Sequence, residues 1–248
     1  MPATMERVTA SASADPWHHY GRTRHTTDRT VPDTFRWSWG QDCGPGPDIL
    51  GDLSGLYVAD LGAGAAREAA HLAVHHRPAR VVAVDGSPAQ HAMATDLYGH
   101  LAPRLRLVRS DAVEHLRAAP GTYDVLYSVF GAVDFTEPRR LLPAAASALR
   151  RGGRLVFSTL AHHLGGAPAQ PDVRHADIPV KTPDGEPPTM RRWVLQEHVW
   201  TKLLAEAGFN RISVDLLRAG QGPRAADTLL VKGVRDGRRL TRGRGPHP

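Results

Sequence analysis

Apolar residues in this chain come in short runs, with stretches of helical spacing between them. Leu56–Ala59, Arg80–Val84, Leu105–Val108, Tyr123–Val129 and Arg154–Leu160 read as strands of a buried sheet. After the first run, Ala69, Leu72 and Ala73 mark the inner face of a helix, with Pro78 just past its end. Ser87 reads as an N-cap and Pro88 as the first residue of the next helix. A further helix is expected over 136–151, with Thr136 as its N-cap, Pro138 in its first turn and Gly152-Gly153 as its stop. Pro143 should kink or break it. A helix over Thr201–Phe209, ending at Gly208, precedes two last strands, Arg211–Leu217 and Asp227–Lys232. Alternation of strand and helix at this spacing predicts an α/β fold with a parallel, doubly wound sheet.

Two segments depart from that rhythm. Residues 15–50 hold three of the five tryptophans and precede the first sheet strand. They are expected to lie outside the sheet's own core, as a helical extension or as an aromatic lid. Residues 161–191 hold six prolines and three glycines and leave from the C-terminal end of the fifth strand. A loop of that length is usually functional or disordered. His162 and His163 stand at its root as candidate general bases, because an imidazole titrates near neutral pH.

The chemistry concentrates where the first strand ends. Asp60 is followed by Gly62 and Gly64, and the helix begins directly after them. Strand, glycine turn and helix bring a ligand close to the backbone. The dinucleotide fingerprint needs a third glycine, and Arg67 stands at that position. A pyrophosphate is also a poor neighbour for the Asp60 carboxylate, whereas an amino group or sulfonium suits it. Asp85 ends the second strand, 21 positions after Gly64, the separation expected of an acid that binds ribose hydroxyls. Asp111 follows the third strand, and Ser128-Val129-Phe130-Gly131 closes the fourth.

This set of residues resembles the class I S-adenosylmethionine-dependent methyltransferases, clearly over residues 51–160 and more loosely over 198–234. The resemblance implies a seven-stranded, mostly parallel sheet whose last strand inserts antiparallel between the fifth and sixth. It implies S-adenosylmethionine as cofactor, held by Tyr20, Asp60, Gly62, Ala63, Gly64, Asp85, Gly86, Ser87, Asp111, Ala112, Ser128, Val129 and Phe130. Within that set Asp111 matches the acid that takes the adenine amine, and Tyr20 or Arg36 could reach the cofactor's carboxylate. Trp17, His18, Trp39, Phe135 and Trp193 are the candidates for acceptor contact, and His162 or His163 for the base; His18 and the adjacent His19 point in different directions in any regular element. The expected organisation is a lid at 15–50, a methyltransferase domain at 51–234 with an acceptor insertion at 161–198, and a disordered basic tail at 235–248.

Composition narrows the partners. The chain has 248 residues, 41% of them apolar, and a formal charge of +6. Residues 232–248 carry five of those six net charges, so the body is nearly neutral, and 28 of the whole chain's 31 basic residues are arginine. Such a tail reads first as a solvated end and only secondarily as an RNA-contacting arm. The single cysteine, Cys43, excludes an internal disulfide and a cysteine-based zinc cluster. No 18-residue apolar run or secretory h-region is present, which gives the expectation of a cytoplasmic monomer or homodimer with no metal. The Asn/Asp-Pro-Pro-aromatic motif of nucleic-acid amino methyltransferases is absent, and Cys43 lies ahead of the domain. The leading reading is therefore methyl transfer to an O or N atom of a small molecule, such as a secondary metabolite. Its rivals are an RNA or protein methyltransferase that uses the tail, and a module that binds the cofactor without methylating.

Overall fold

The computed structural model describes Trp17 and residues 30–179, 189–220 and 225–236. Its strands are β1 (Tyr57–Leu61), β2 (Arg80–Asp85), β3 (Leu105–Arg109), β4 (Tyr123–Val129), β5 (Leu149–Leu160), β6 (Ala176–Pro179), β7 (Thr189–Arg192), β8 (Phe209–Leu217) and β9 (Thr228–Arg235). Its α-helices are α1 (Arg67–His75), α2 (Pro88–Tyr98), α3 (Ala112–Arg117), α4 (Ala132–Phe135), α5 (Pro138–Ala148) and α6 (Glu197–Glu206). Seven strands form one sheet in the order β3-β2-β1-β4-β5-β9-β8. β1 to β5 pair in parallel, and β9 runs antiparallel between β5 and β8. This is the seven-stranded arrangement that the resemblance implies.

The apolar runs become strands because both faces of the sheet are covered. Val58, Ala59 and Leu61 of β1 are all fully buried, as expected of a parallel strand between helical layers. One face packs against α1 and α2, the other against α3, α5 and α6. The chain leaves β1 toward β2 on one side and enters β4 on the other, so the strand order reverses between β1 and β4. That switch point opens a crevice at the C-terminal strand ends, where open α/β sheets take their ligands.

Several boundaries differ from the expected ones, each for a physical reason. β1 continues through Asp60, whose carboxylate accepts a hydrogen bond from the Tyr127 hydroxyl at 2.9 Å and so tolerates burial. Glu137, one residue after Thr136, caps α5 by accepting from the Arg139 N–H. α5 runs through Pro143, which lies on its exposed side, and stops at Ala148. Gly152 and Gly153 fall instead in the irregular start of β5. α6 begins at Glu197, and Gly208 at φ +89° follows its end. β9 extends to Arg235, so the first residue of the expected tail belongs to the sheet; residues 237–248 lie outside the described residues.

Two further differences bear on the site. Phe35 and Trp37, expected outside the core, are 5% and 0% exposed and pack against Tyr127 of β4. The N-terminal segment thus completes the layer that α1 and α2 begin. The proline-rich insertion is partly ordered: β6 and β7 form an antiparallel hairpin, and Gln170 bonds both Val194 and Gln196 through its backbone. Four-residue strands carry too short a pattern to be read against so many prolines.

Candidate active site

The glycine turn is built by close approach of two backbones. Gly62, at φ +78°, leaves no room for a side chain: a Cβ there would sit 2.2 Å from the Ala132 nitrogen. A Cβ on Gly131 would sit 2.5 Å from the Leu61 carbonyl oxygen. The β1 and β4 loops are therefore locked together, which is what glycine permits at such a point. Ser128 strengthens the lock by donating to the Leu61 carbonyl at 2.7 Å. Its side chain is fully buried, with the hydroxyl spent on that bond.

The N–H groups of this turn are already engaged. Gly62 and Ala63 both donate to the Val84 carbonyl, at 2.9 and 3.0 Å. Gly64 donates to Asp85 Oδ2 at 2.8 Å. A pyrophosphate needs free N–H donors at this position, and the first three are taken. The turn offers a snug backbone surface beside a carboxylate instead.

Asp85 is the centre of that surface. Its Oδ1 accepts from the Ser87 N–H and its Oδ2 from the Gly64 N–H, both at 2.8 Å. These two bonds hold the carboxylate at the C-terminal end of β2, beside the switch point. Ser87 caps α2 through Gln90 as expected. Asp111, across β3, caps α3: its Oδ1 accepts from the Val113 and Glu114 N–H groups at 2.8 and 3.0 Å. The residue is exposed at the crevice end of its strand, with Ala112 beneath it.

Asp60 differs from expectation in being 2% exposed. Burial pushes its carboxyl well above the usual range, and the neighbouring Glu68 adds to the rise; the Tyr127 hydroxyl opposes it. Val129 and Phe130 reach the crevice rim, Phe130 at φ +50° with Trp39 edge-on at 5.0 Å. Arg36 is used locally, donating to the Gly44 carbonyl. Tyr20, His18 and His19 lie outside the described residues.

A family model described as a methyltransferase domain matches residues 58–153, from β1 into β5. Residues 58–153 thus form a methyltransferase domain. Among solved structures, it resembles an S-adenosylmethionine-dependent methyltransferase from Mesorhizobium loti, with 21% identity, TM-score 0.55, and 75% of this chain and 94% of that one covered. It also resembles the 1,6-didemethyltoxoflavin-N1-methyltransferase of Burkholderia thailandensis, with 20% identity, TM-score 0.52, and 74% and 72% covered. A third is phosphoethanolamine N-methyltransferase 2 of Haemonchus contortus, with 13% identity, TM-score 0.56, and 76% and 51% covered. No curated protein matches the chain in sequence.

Aromatic residues from the N-terminal segment pack on the loop that follows β4. Trp39 packs on Phe130, and Trp17 packs edge-on against Phe135 at 4.7 Å. Trp193 turns the other way: its side chain joins the core, and its backbone N–H donates to the Asp134 carbonyl. The two histidines at the root of the insertion separate. His162 is held at both ring nitrogens, with Nδ1 3.0 Å from the His163 carbonyl and Nε2 accepting from the Asp227 N–H. A ring so engaged packs the insertion and has no nitrogen left for an acceptor. His163 keeps its ring nitrogens without a hydrogen bond among the described residues, and burial, then Arg192, lowers its pKa. Asp134 and Arg192 were not foreseen. Asp134 could have been noticed as the lone acid in the apolar run from Phe130 to Phe135; Arg192 carries no signal beyond its neighbour Arg191. Among the described residues no helix is long and apolar enough to cross a membrane, and no cluster of three His, Cys, Asp or Glu side chains could hold a metal.

Proposed function

We propose that this methyltransferase alkylates an oxygen or nitrogen of a small molecule that enters between an aromatic wall and the root of the insertion. The observation that carries the cofactor side is the Asp85 carboxylate, fixed by the Gly64 and Ser87 N–H groups at the mouth of the switch point. A carboxylate at the end of β2, beside the glycine turn, suits the two ribose hydroxyls of S-adenosylmethionine. The turn at Gly62, Ala63 and Gly64 lies against the methionine part, Asp60 and Glu68 supply negative potential behind it, and Gly86 with Ser87 borders the ribose. Asp111 Oδ2 and the Ala112 backbone suit the adenine edge, with Val129 and Phe130 on its other side. The bound cofactor supplies an electrophilic methyl group on sulfur.

The chain's own work is then positioning and exclusion of water. Trp17, Trp39, Phe130 and Phe135 give an acceptor apolar contact, and residues 15–50 act as its cover. His163, kept neutral by burial and by Arg192, takes the proton of an acceptor hydroxyl or amine. The basic tail has no part in this chemistry.

Calorimetry tests the cofactor side. S-adenosylhomocysteine should bind, NAD should not, and Asp85→Ala should weaken the former about 100-fold, the loss of two hydrogen bonds to a charged group. Heat from NAD and none from the homocysteine would end this reading.

A further inference from the structure

Arg192 closes the hairpin at the end of β7, yet its side chain is 5% exposed and reaches the first helix after β4. Its Nε and Nη2 both donate to one oxygen, Asp134 Oδ2. The guanidinium lies between two rings, 5.1 Å from the centre of Trp39 and 5.3 Å from that of Phe135. Three distant parts of the chain thus meet on one cation: residue 39, residues 134 and 135, and residue 192.

A buried ion pair is weak evidence of stabilisation, since an apolar pair of the same volume usually does as well. This one is also incomplete. Asp134 is fully buried and its Oδ1 has no hydrogen-bond partner among the described residues. The Thr159 hydroxyl is near enough to lower the carboxyl's pKa but stands outside hydrogen-bond geometry. Because both donors converge on a single oxygen, the Nη1 end of the fork is unused; Arg192 makes no other hydrogen bond among the described residues. A guanidinium has five N–H donors, and Nη1 is not among the fully buried unpartnered atoms, so this end of the fork is reachable from outside. Asp134 fixes the fork from one side, the rings fix its plane, and the free end is shaped for a second anion.

We propose that Arg192 is the specificity-determining residue of the acceptor site, binding an anionic oxygen of the acceptor, a carboxylate or a phosphate, at the free end of its guanidinium. The inference rests on the small-molecule reading above and adds the acceptor's chemistry: an apolar or aromatic body that carries an acidic group. Asp134 is a positioning residue that acts through Arg192.

The test uses the full chain saturated with S-adenosylhomocysteine and three probes that share one ring system: 2-naphthoate, 2-naphthyl phosphate and the neutral 2-naphthamide. Binding is read by saturation-transfer NMR and calorimetry. At least one acid should bind about tenfold or more tighter than the amide, as a charge-assisted pair requires; the better of the two acids separates a carboxylate site from a phosphate site. Arg192→Lys keeps the charge but not the fork and should reduce that preference. Asp134→Asn/Arg192→Gln keeps a neutral pair in place of the ionic one and should abolish it, with affinity for S-adenosylhomocysteine within about twofold of the native protein. Equal binding of acids and amide, no acid bound at about 10 mM, or an acid preference that survives both variants would overturn the inference and leave the methyltransferase reading intact. Failure of the native protein to bind S-adenosylhomocysteine would overturn both.

Discussion

At the scale of single residues, the site spends stability on charge. Asp60 is buried in β1, and its folded-state pKa lies well above the ordinary carboxyl value, chiefly through desolvation. The sign follows directly. A carboxyl that binds its proton more tightly when folded contributes stability below its unfolded pKa, near 4, and that contribution is lost as pH rises through the folded value. Asp60→Asn should therefore raise the Tm of the free protein at pH 7–8, by several degrees for about 1–2 kcal/mol, and the gap should close toward pH 4. The same variant should bind S-adenosylhomocysteine more weakly. Scanning calorimetry across pH checks the first effect, and a variant no more stable than the native protein at pH 8 would contradict it. Asp60, Asp85 and Asp111 were legible because each ends or follows an apolar run. Tyr127 was not: it reads as one more apolar position in β4, and only the folded sheet sets its hydroxyl 2.9 Å from Asp60. Gly131 was visible, but its reason, the Leu61 carbonyl at 2.5 Å from a built Cβ, is a contact between loops 70 residues apart.

At the scale of elements, the sheet strands and α1, α2 and α6 were readable because their periods and caps are local. The N-terminal segment and the insertion were not, since what orders them is distant. Phe35 and Trp37 become core only where Tyr127 and α1 meet them. His71 of α1 shows how that docking is held: it is 2% exposed, with Nδ1 2.8 Å from the Pro32 carbonyl and Nε2 3.2 Å from His76 Nε2. Burial lowers its pKa; the Pro32 carbonyl and Asp33 oppose that, while His75 and His76 add to it. A base with a depressed folded pKa contributes stability above its unfolded value, near 6.5, and loses it as pH falls toward the folded value. Hydrogen exchange in residues 30–37 and α1 should therefore accelerate below about pH 6, beyond the intrinsic chemistry, and His71→Gln should remove that excess. An excess unchanged in the variant would show that another group holds the segment.

At the scale of the whole molecule, the strand order reverses between β1 and β4, and the hairpin is tied to the segment after β4 through Arg192 and Asp134. The first was implied by the spacing of glycines and acids. The second could not be, because an arginine after a proline-rich stretch gives no hint of a carboxylate 58 positions earlier. Charge separates at this scale as well. Residues 237–248 hold four arginines and no acid, whereas Arg235 belongs to β9. Deleting 237–248 should leave the Tm and the affinity for S-adenosylhomocysteine unchanged while weakening salt-sensitive retention on a polyanion; a lower cofactor affinity would tie the tail to the site. The account as a whole is tested most directly by a crystal structure grown with S-adenosylhomocysteine. It predicts the ribose diol on Asp85, the adenine beside Asp111 and the homocysteine chain over Gly62–Gly64. An unfilled crevice above β1 and β2, or a ligand bound elsewhere on the molecule, would contradict it.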